Sequence, residues 1–334
     1  MDGVTVTGRV SQNSEFRGPI DLLRRAARHL PHGLRQVLRR LLIPAVRCVD
    51  PARLTPANFV KRSAEQILED VNYAIQITNS HLGHLSAIGL SPAGLRVLEL
   101  GPGVNLAPQL VIASMGGRMA VADRFLAPWD KDYHPAFYQA FRQRWAGPAT
   151  AIDRVLRDGA YPDDVISCIA SPAEDLATIS TESIDLVLSN AVLEHVYSIP
   201  LVCREMARIT APGGVNLHQI DLRDHRDFER PLEFLTMPDD QFQREFDARH
   251  GECGNRLRQS EIRSAFEQAG FDVISVDANM QPDPSYLKEL LPRLRSSRSR
   301  YRLWATDDLM VISALLKMRK RNIPNWRQKS SSAA

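Results

Sequence analysis

The sequence is poor in the residues that build disulfide-stapled or membrane-spanning proteins. Its four cysteines (Cys48, Cys168, Cys203 and Cys253) are scattered over 334 residues without a Cys-x-x-Cys pair. That spacing excludes a disulfide framework and a cysteine-based zinc site. Nowhere do eighteen apolar residues follow one another, and the first twenty residues mix charges of both signs without a signal-like apolar stretch. The expectation is a cytoplasmic protein with no membrane span. The net charge is only +3, and the positive charge gathers at the N-terminus and in two loops with no recognisable motif, so no nucleic-acid partner is expected.

What the sequence does contain is an apolar run closed by an acid and two glycines, Val97-Leu-Glu-Leu-Gly-Pro-Gly-Val-Asn105. It reads as a buried parallel strand that enters a tight loop and opens a helix. Glycine at 101 and 103 lets the backbone turn sharply and lie against a ligand, and the helix N-terminus offers unpaired N–H groups. A dinucleotide fingerprint requires a third glycine three positions after Gly103, where Leu106 stands, so a nicotinamide-dependent oxidoreductase is the weaker reading.

The rest of the chain falls into order around this loop. Between Arg17 and Arg47 eight arginines face one acid, Asp21. Leu34, Val37, Leu38 and Leu41 form the apolar side of a short basic helix. Two readings stay open for it, peripheral contact of residues 17–47 with an anionic membrane and packing on the chain's own domain. Residues 58–90 read as helical, with His81 and His84 as cap or surface histidines because no third metal ligand lies nearby. Leu106 to Ser114 can form the first crossover helix, and Met119 to Asp123 a second strand ending in an acid. The aromatic stretch 124–164 reads as a lid or substrate wall, or as ordinary core. Val165–Ile169, Ser183–Asn190 and Val215–Leu222 are further strands; Phe271–Ala278 and Leu309–Leu316 are a closing antiparallel pair. Alternating strands and helices imply an α/β fold with a doubly wound, mostly parallel sheet. The domain limits follow: an N-terminal extension over 1–57, a domain over 58–318 whose core starts near 90 and carries insertions at 125–164 and 226–256, and a disordered tail over 319–334.

In combination, Glu99-Leu-Gly-Pro-Gly103, Asp123, Ala173-Glu-Asp175, Leu188 to His195, Arg208 to Gly214 and Gln268-Ala-Gly-Phe271 resemble a class I S-adenosylmethionine-dependent methyltransferase, from about residue 90 to 318. The resemblance implies a seven-stranded sheet and S-adenosylmethionine as cofactor. It places Glu99, Gly101 and Gly103 at the methionine end, Asp123 on the ribose hydroxyls, Ser171, Ala173 and Glu174 by the adenine, and Asn190 at the methionine moiety. In the family's first loop a third glycine is frequent; Asn105, which also accepts left-handed backbone, replaces it here.

The end of the fifth strand is unusually polar, His218-Gln-Ile-Asp221-Leu-Arg223-Asp224-His225. Ligands of open α/β sheets bind beyond the carboxyl ends of strands, so His195, His218 and Asp221 are the candidate catalytic residues. No metal is expected. The acceptor is left open between a small molecule and a glycan or lipid-linked precursor, and a catalytically silent methyltransferase-like binding module is the alternative to an enzyme.

Overall fold

A computed structural model describes residues 62–249 and 251–322. The basic segment 17–47 and most of the 319–334 tail lie outside them. Among the described residues, no helix is long and apolar enough to cross a membrane.

Helix α1 (Ala64–Ala87) begins at a capping box in which Ser63 and Gln66 exchange side-chain and backbone hydrogen bonds. Its inner stripe is Val71, Ala74, Thr78, His81 and Leu85. Then come β1 (Arg96–Leu100), α2 (Ala107–Ser114), β2 (Arg118–Asp123), α3 (Tyr133–Arg144), α4 (Thr150–Asp158), β3 (Ile166–Ala170), β4 (Ile184–Asn190), α5 (Ile199–Ile209) and β5 (Thr210–Asp221). The chain closes with α6 (Asp239–Ala248), α7 (Gln259–Gln268), β6 (Phe271–Met280), α8 (Pro284–Arg295), α9 (Thr306–Leu309) and β7 (Ser313–Lys320). The seven strands form one sheet in the order β3-β2-β1-β4-β5-β7-β6. The first five run parallel and β7 is antiparallel to both β5 and β6, which is the doubly wound sheet expected from the sequence.

Alternation along the strands divides the interior. Val97, Val121, Leu186, Leu188 and Leu217 pack beneath α1–α4, whereas Leu98, Leu100, Val187 and Ile220 pack toward α5 and α7. Helices on both faces leave such strands with no wet side. Most aromatics of 124–164 take the core option, with Tyr133, Phe137, Tyr138 and Phe141 all buried in the first of these clusters; Phe125 is exposed instead. A third cluster joins insertion residues Leu232, Phe234 and Phe246 to α8 and Tyr301.

Two sequence expectations need correcting. The last strand starts four residues later than Leu309, because Thr306–Leu309 forms the short α9, and it continues to Lys320; Lys317 and Lys320 are held there by Asp277 and Glu182. His81 is neither a cap nor a surface residue. It is buried and its Nε2–H donates to Glu99 Oε1 at 3.2 Å.

Candidate active site

The carboxyl ends of β1, β2 and β4 surround a cleft of about 300 Å³, at the lower end of the range for small-molecule sites. Its floor is the glycine loop. Gly101 has φ +62°, and a Cβ there would lie 2.4 Å from Val192 Cγ2. Glycine is therefore required twice at this position, by the left-handed backbone and by the close approach of the turn after β4. Gly103 also has positive φ, +77°, but faces open space. Ala191, the first residue after β4, holds φ +55° without being glycine, a locally strained conformation of the kind found where a loop must be aimed.

Asp123 ends β2 on the wall of the cleft, with Oδ1 accepting the Phe125 N–H at 2.7 Å. Burial raises its carboxyl above the ordinary range, an effect the Phe125 hydrogen bond only partly offsets. Ala173 and Glu174 line the same wall. Glu174 Oε1 also accepts the N–H groups of Tyr197 and Ser198, at 2.7 and 3.4 Å, and so ties the β3 loop to the start of α5. Ser171 is held by its backbone N–H to Asp123 O, and its side chain is not part of the lining. Glu99 lies behind the loop, buried on His81, with Oε2 lacking a hydrogen-bond partner among the described residues. Asn190 donates to the Tyr73 hydroxyl at 3.4 Å. Tyr73 was not singled out by sequence, because it sits on the outward side of a helical stripe. Burial first, then the charges of Glu194, Glu99 and Asp221, raises its phenol pKa despite the Asn190 bond.

The opposite wall is polar. His195 lies in the turn before α5. Its Nδ1–H donates to Gly251 O at 2.9 Å, which fixes the tautomer and leaves the Nε2 lone pair available. Burial and the neighbouring His225 lower its pKa to about 4, so the ring is neutral over the physiological range. The His195 and His225 rings meet edge to face at 4.8 Å. Asp221 Oδ2 is 3.6 Å from His225 Nε2 and is gripped by Arg223 at 2.6 Å. Burial alone would raise the Asp221 carboxyl; Arg223 and His225 instead hold it well below the usual range. Glu194, 2% exposed, accepts the Asp221 N–H at 3.3 Å. Burial and the Asp221 charge push its carboxyl well upward.

His218 is placed elsewhere. It points to the α7 side of the sheet, fully buried, stacked on Phe266, with Nδ1 2.7 Å from Ser189 Oγ. The reason is the strand alternation: with Leu217 on one covered face, His218 occupies the other. The structure thus brings Gly101, Gly103, Asp123, Ala173, Glu174 and His195 to one cleft, with Asp221 and His225 behind His195. It leaves His218 and the Ser171 side chain out.

The family model for the methyltransferase domain matches residues 59–276. The chain belongs to that family. Its sheet is that of a class I S-adenosylmethionine-dependent methyltransferase. No curated protein matches it. Solved structures that it resembles include an S-adenosylmethionine-dependent methyltransferase from Mesorhizobium loti, at 15% identity and TM-score 0.41 over 71% of this chain and 96% of that one. A second, described as a putative enzyme of the same kind from Listeria monocytogenes, gives 14%, TM-score 0.39, and coverage of 74% and 99%. A third, described as a putative sarcosine dimethylglycine methyltransferase from Galdieria sulphuraria, gives 14%, TM-score 0.43, and coverage of 74% and 86%.

Proposed function

We propose that this protein transfers a methyl group from S-adenosylmethionine to a hydroxyl of a small-molecule, glycan or lipid-linked acceptor that sits against the His195 wall. The observation that carries the reading is the joint lining of one cleft by the Gly101–Gly103 loop, Asp123 and His195, in a chain of the methyltransferase-domain family.

The residues present suit the cofactor. A loop without Cβ atoms at 101 and 103 admits close backbone contact, and a half-desolvated Asp123 gains from accepting two ribose hydroxyls, each hydrogen bond to a carboxylate contributing about 1.5–3 kcal/mol. Bound there, the cofactor supplies a methyl group already activated for displacement. The chain's own contribution is alignment, which can lower a barrier by up to about 7–11 kcal/mol. Neutral His195 accepts a hydrogen bond from the acceptor hydroxyl through Nε2, and the proton released on transfer passes into the His195–His225–Asp221 cluster. Arg124 lies 5.1 Å from the Phe125 ring and 5.3 Å from the Tyr197 ring; the two aromatics, 37% and 51% exposed, offer flat apolar surface beside the cleft for the non-reacting part of the acceptor.

Isothermal titration with S-adenosylhomocysteine tests the reading. One site per chain is expected, with Asp123→Asn weakening binding by about 10–100-fold through lost charge-assisted bonds. Absence of binding by the wild-type protein would leave a catalytically silent methyltransferase-like fold.

A further inference from the structure

We propose that Glu194, His195 and His225 form a binding site for a divalent transition-metal ion at the acceptor end of the cleft. The inference rests on the acceptor position given above and changes one contact in it: with the ion bound, His195 Nε2 holds the ion, and the ion rather than the ring nitrogen meets the acceptor oxygen.

One donor atom from each of the three residues comes within 4.8 Å of the other two. The three come from two places in the chain, the turn after β4 and the segment after β5, and the insertion holds them together. Gly251 O fixes the His195 ring through Nδ1, so Nε2 is the nitrogen left to bind. The His225 backbone N–H donates to Cys253 O at 3.4 Å, which ties this segment to the insertion. The independent observation is Glu194 itself. It is 2% exposed, and its Oε2 has no hydrogen-bond partner among the described residues. A buried carboxyl oxygen without a partner is costly, and a cation that takes the place of the carboxyl proton is one way to satisfy it.

The donor set selects the ion. Two imidazoles with one carboxylate suit Zn²⁺ or its first-row neighbours, not Mg²⁺ or Ca²⁺, which prefer all-oxygen cages. Bonds of roughly 2.0–2.2 Å at tetrahedral angles put donors about 3.3–3.6 Å apart, so side-chain rotations that draw the donors in by about an ångström complete the site. Asp221, 3.6 Å from His225 Nε2, supports an imidazole ligand in the way carboxylates support metal-bound histidines elsewhere. Arg223, paired with Asp221, offsets that second carboxylate. Three protein ligands leave coordination positions open, and because His195 lines the cleft the acceptor oxygen can occupy one.

Titration of untagged, chelator-treated protein with Co²⁺ tests the proposal, read by visible absorption and by metal content after gel filtration. One Co²⁺ per chain is expected, displaced by Zn²⁺. Glu194→Gln and His225→Ala should each weaken binding at least tenfold, while His84→Ala, on the helix surface, should not. S-adenosylhomocysteine binding and circular dichroism of each variant report folding and the methyltransferase reading separately. Less than a tenth of an equivalent of Co²⁺ on a protein that binds S-adenosylhomocysteine would overturn the metal site alone. Unchanged Co²⁺ binding in folded Glu194→Gln and His225→Ala would overturn it equally.

Discussion

Replacing His218 by glutamine is expected to flatten the acid limb of the protein's stability curve and to leave methyl transfer in place. The ring is fully buried on the α7 side of the sheet, with one nitrogen against Ser189 and Nε2 without a hydrogen-bond partner among the described residues. Charging it would place a cation in an apolar cluster, so burial lowers its pKa from 6.5 to about 3. The sign follows from which state takes the proton first. Below 6.5 the unfolded chain binds it and the folded chain does not, so stability is complete above that value and declines as the pH falls toward about 3. At about pH 5 the deficit from this one group is about 2 kcal/mol, close to 1.4 kcal/mol for each pH unit below the unfolded value.

Urea unfolding of wild type and His218→Gln at about pH 7.5 and about pH 5 measures the difference. His195, whose pKa is also lowered, contributes an acid loss of its own, but it is present in both proteins and cancels in the comparison. The wild type should lose about 2 kcal/mol more than the variant between the two pH values. Equal losses would refute the burial argument. A variant that keeps the wild-type slope but loses turnover would return His218 to the catalytic group in which the strand-end position first placed it.

Other substitutions probe the glycine loop and its backing. Gly101→Ala combines left-handed strain with a Cβ 2.4 Å from Val192 and should lower the melting temperature well beyond Gly103→Ala, whose Cβ meets open space and costs only the backbone term of about 1–2 kcal/mol; equal effects would mean the Val192 contact yields freely. His81→Leu removes the donor to buried Glu99 and should destabilise by about 3–5 kcal/mol, the usual cost of leaving a buried charge unpaired. Glu99→Gln in the same background should recover part of that loss in a denaturant titration, and no recovery would show that the pair is not what His81 provides.

How far the sequence led depends on whether a feature is set along one strand or between distant ones. The inner parallel strands are readable because buried strands are continuous apolar runs broken by glycine and proline, whereas edge strand β3 is exposed at Ser167, Cys168 and Ala170. The loop at Gly101 was readable because a turn this tight at a strand end has few alternatives to glycine. The His81–Glu99 contact was encoded too: Val71, Ala74, Thr78, His81 and Leu85 follow helical spacing, so His81 belonged to the inner stripe. Its partner was not visible, because nothing local says which strand a helix face will meet. The fate of His218 failed for the opposite reason. Proximity to a strand end suggested exposure, whereas alternation against Leu217 sends it under α7.

The acceptor wall is the part least legible from local pattern, since the insertion 226–256 builds it as much as the sheet does. Asn255 donates its backbone N–H to Glu194 O at 2.7 Å and its side-chain amide to Leu193 O at 2.8 Å, clamping the turn that carries His195. Gly251 supplies the carbonyl for His195 Nδ1, and its left-handed φ of +84° with a would-be Cβ 2.7 Å from His195 O leaves no space for another residue. The proposed donor half is lined by residues at or after the ends of β1, β2 and β3 and by Val192 after β4. The half proposed to meet the acceptor is built with the insertion folded against it, and the insertion's own apolar residues pack with α8 and Tyr301. Changes of acceptor in such a scaffold would come from this segment, because it sets the positions of His195 and His225 without touching the glycine loop or Asp123.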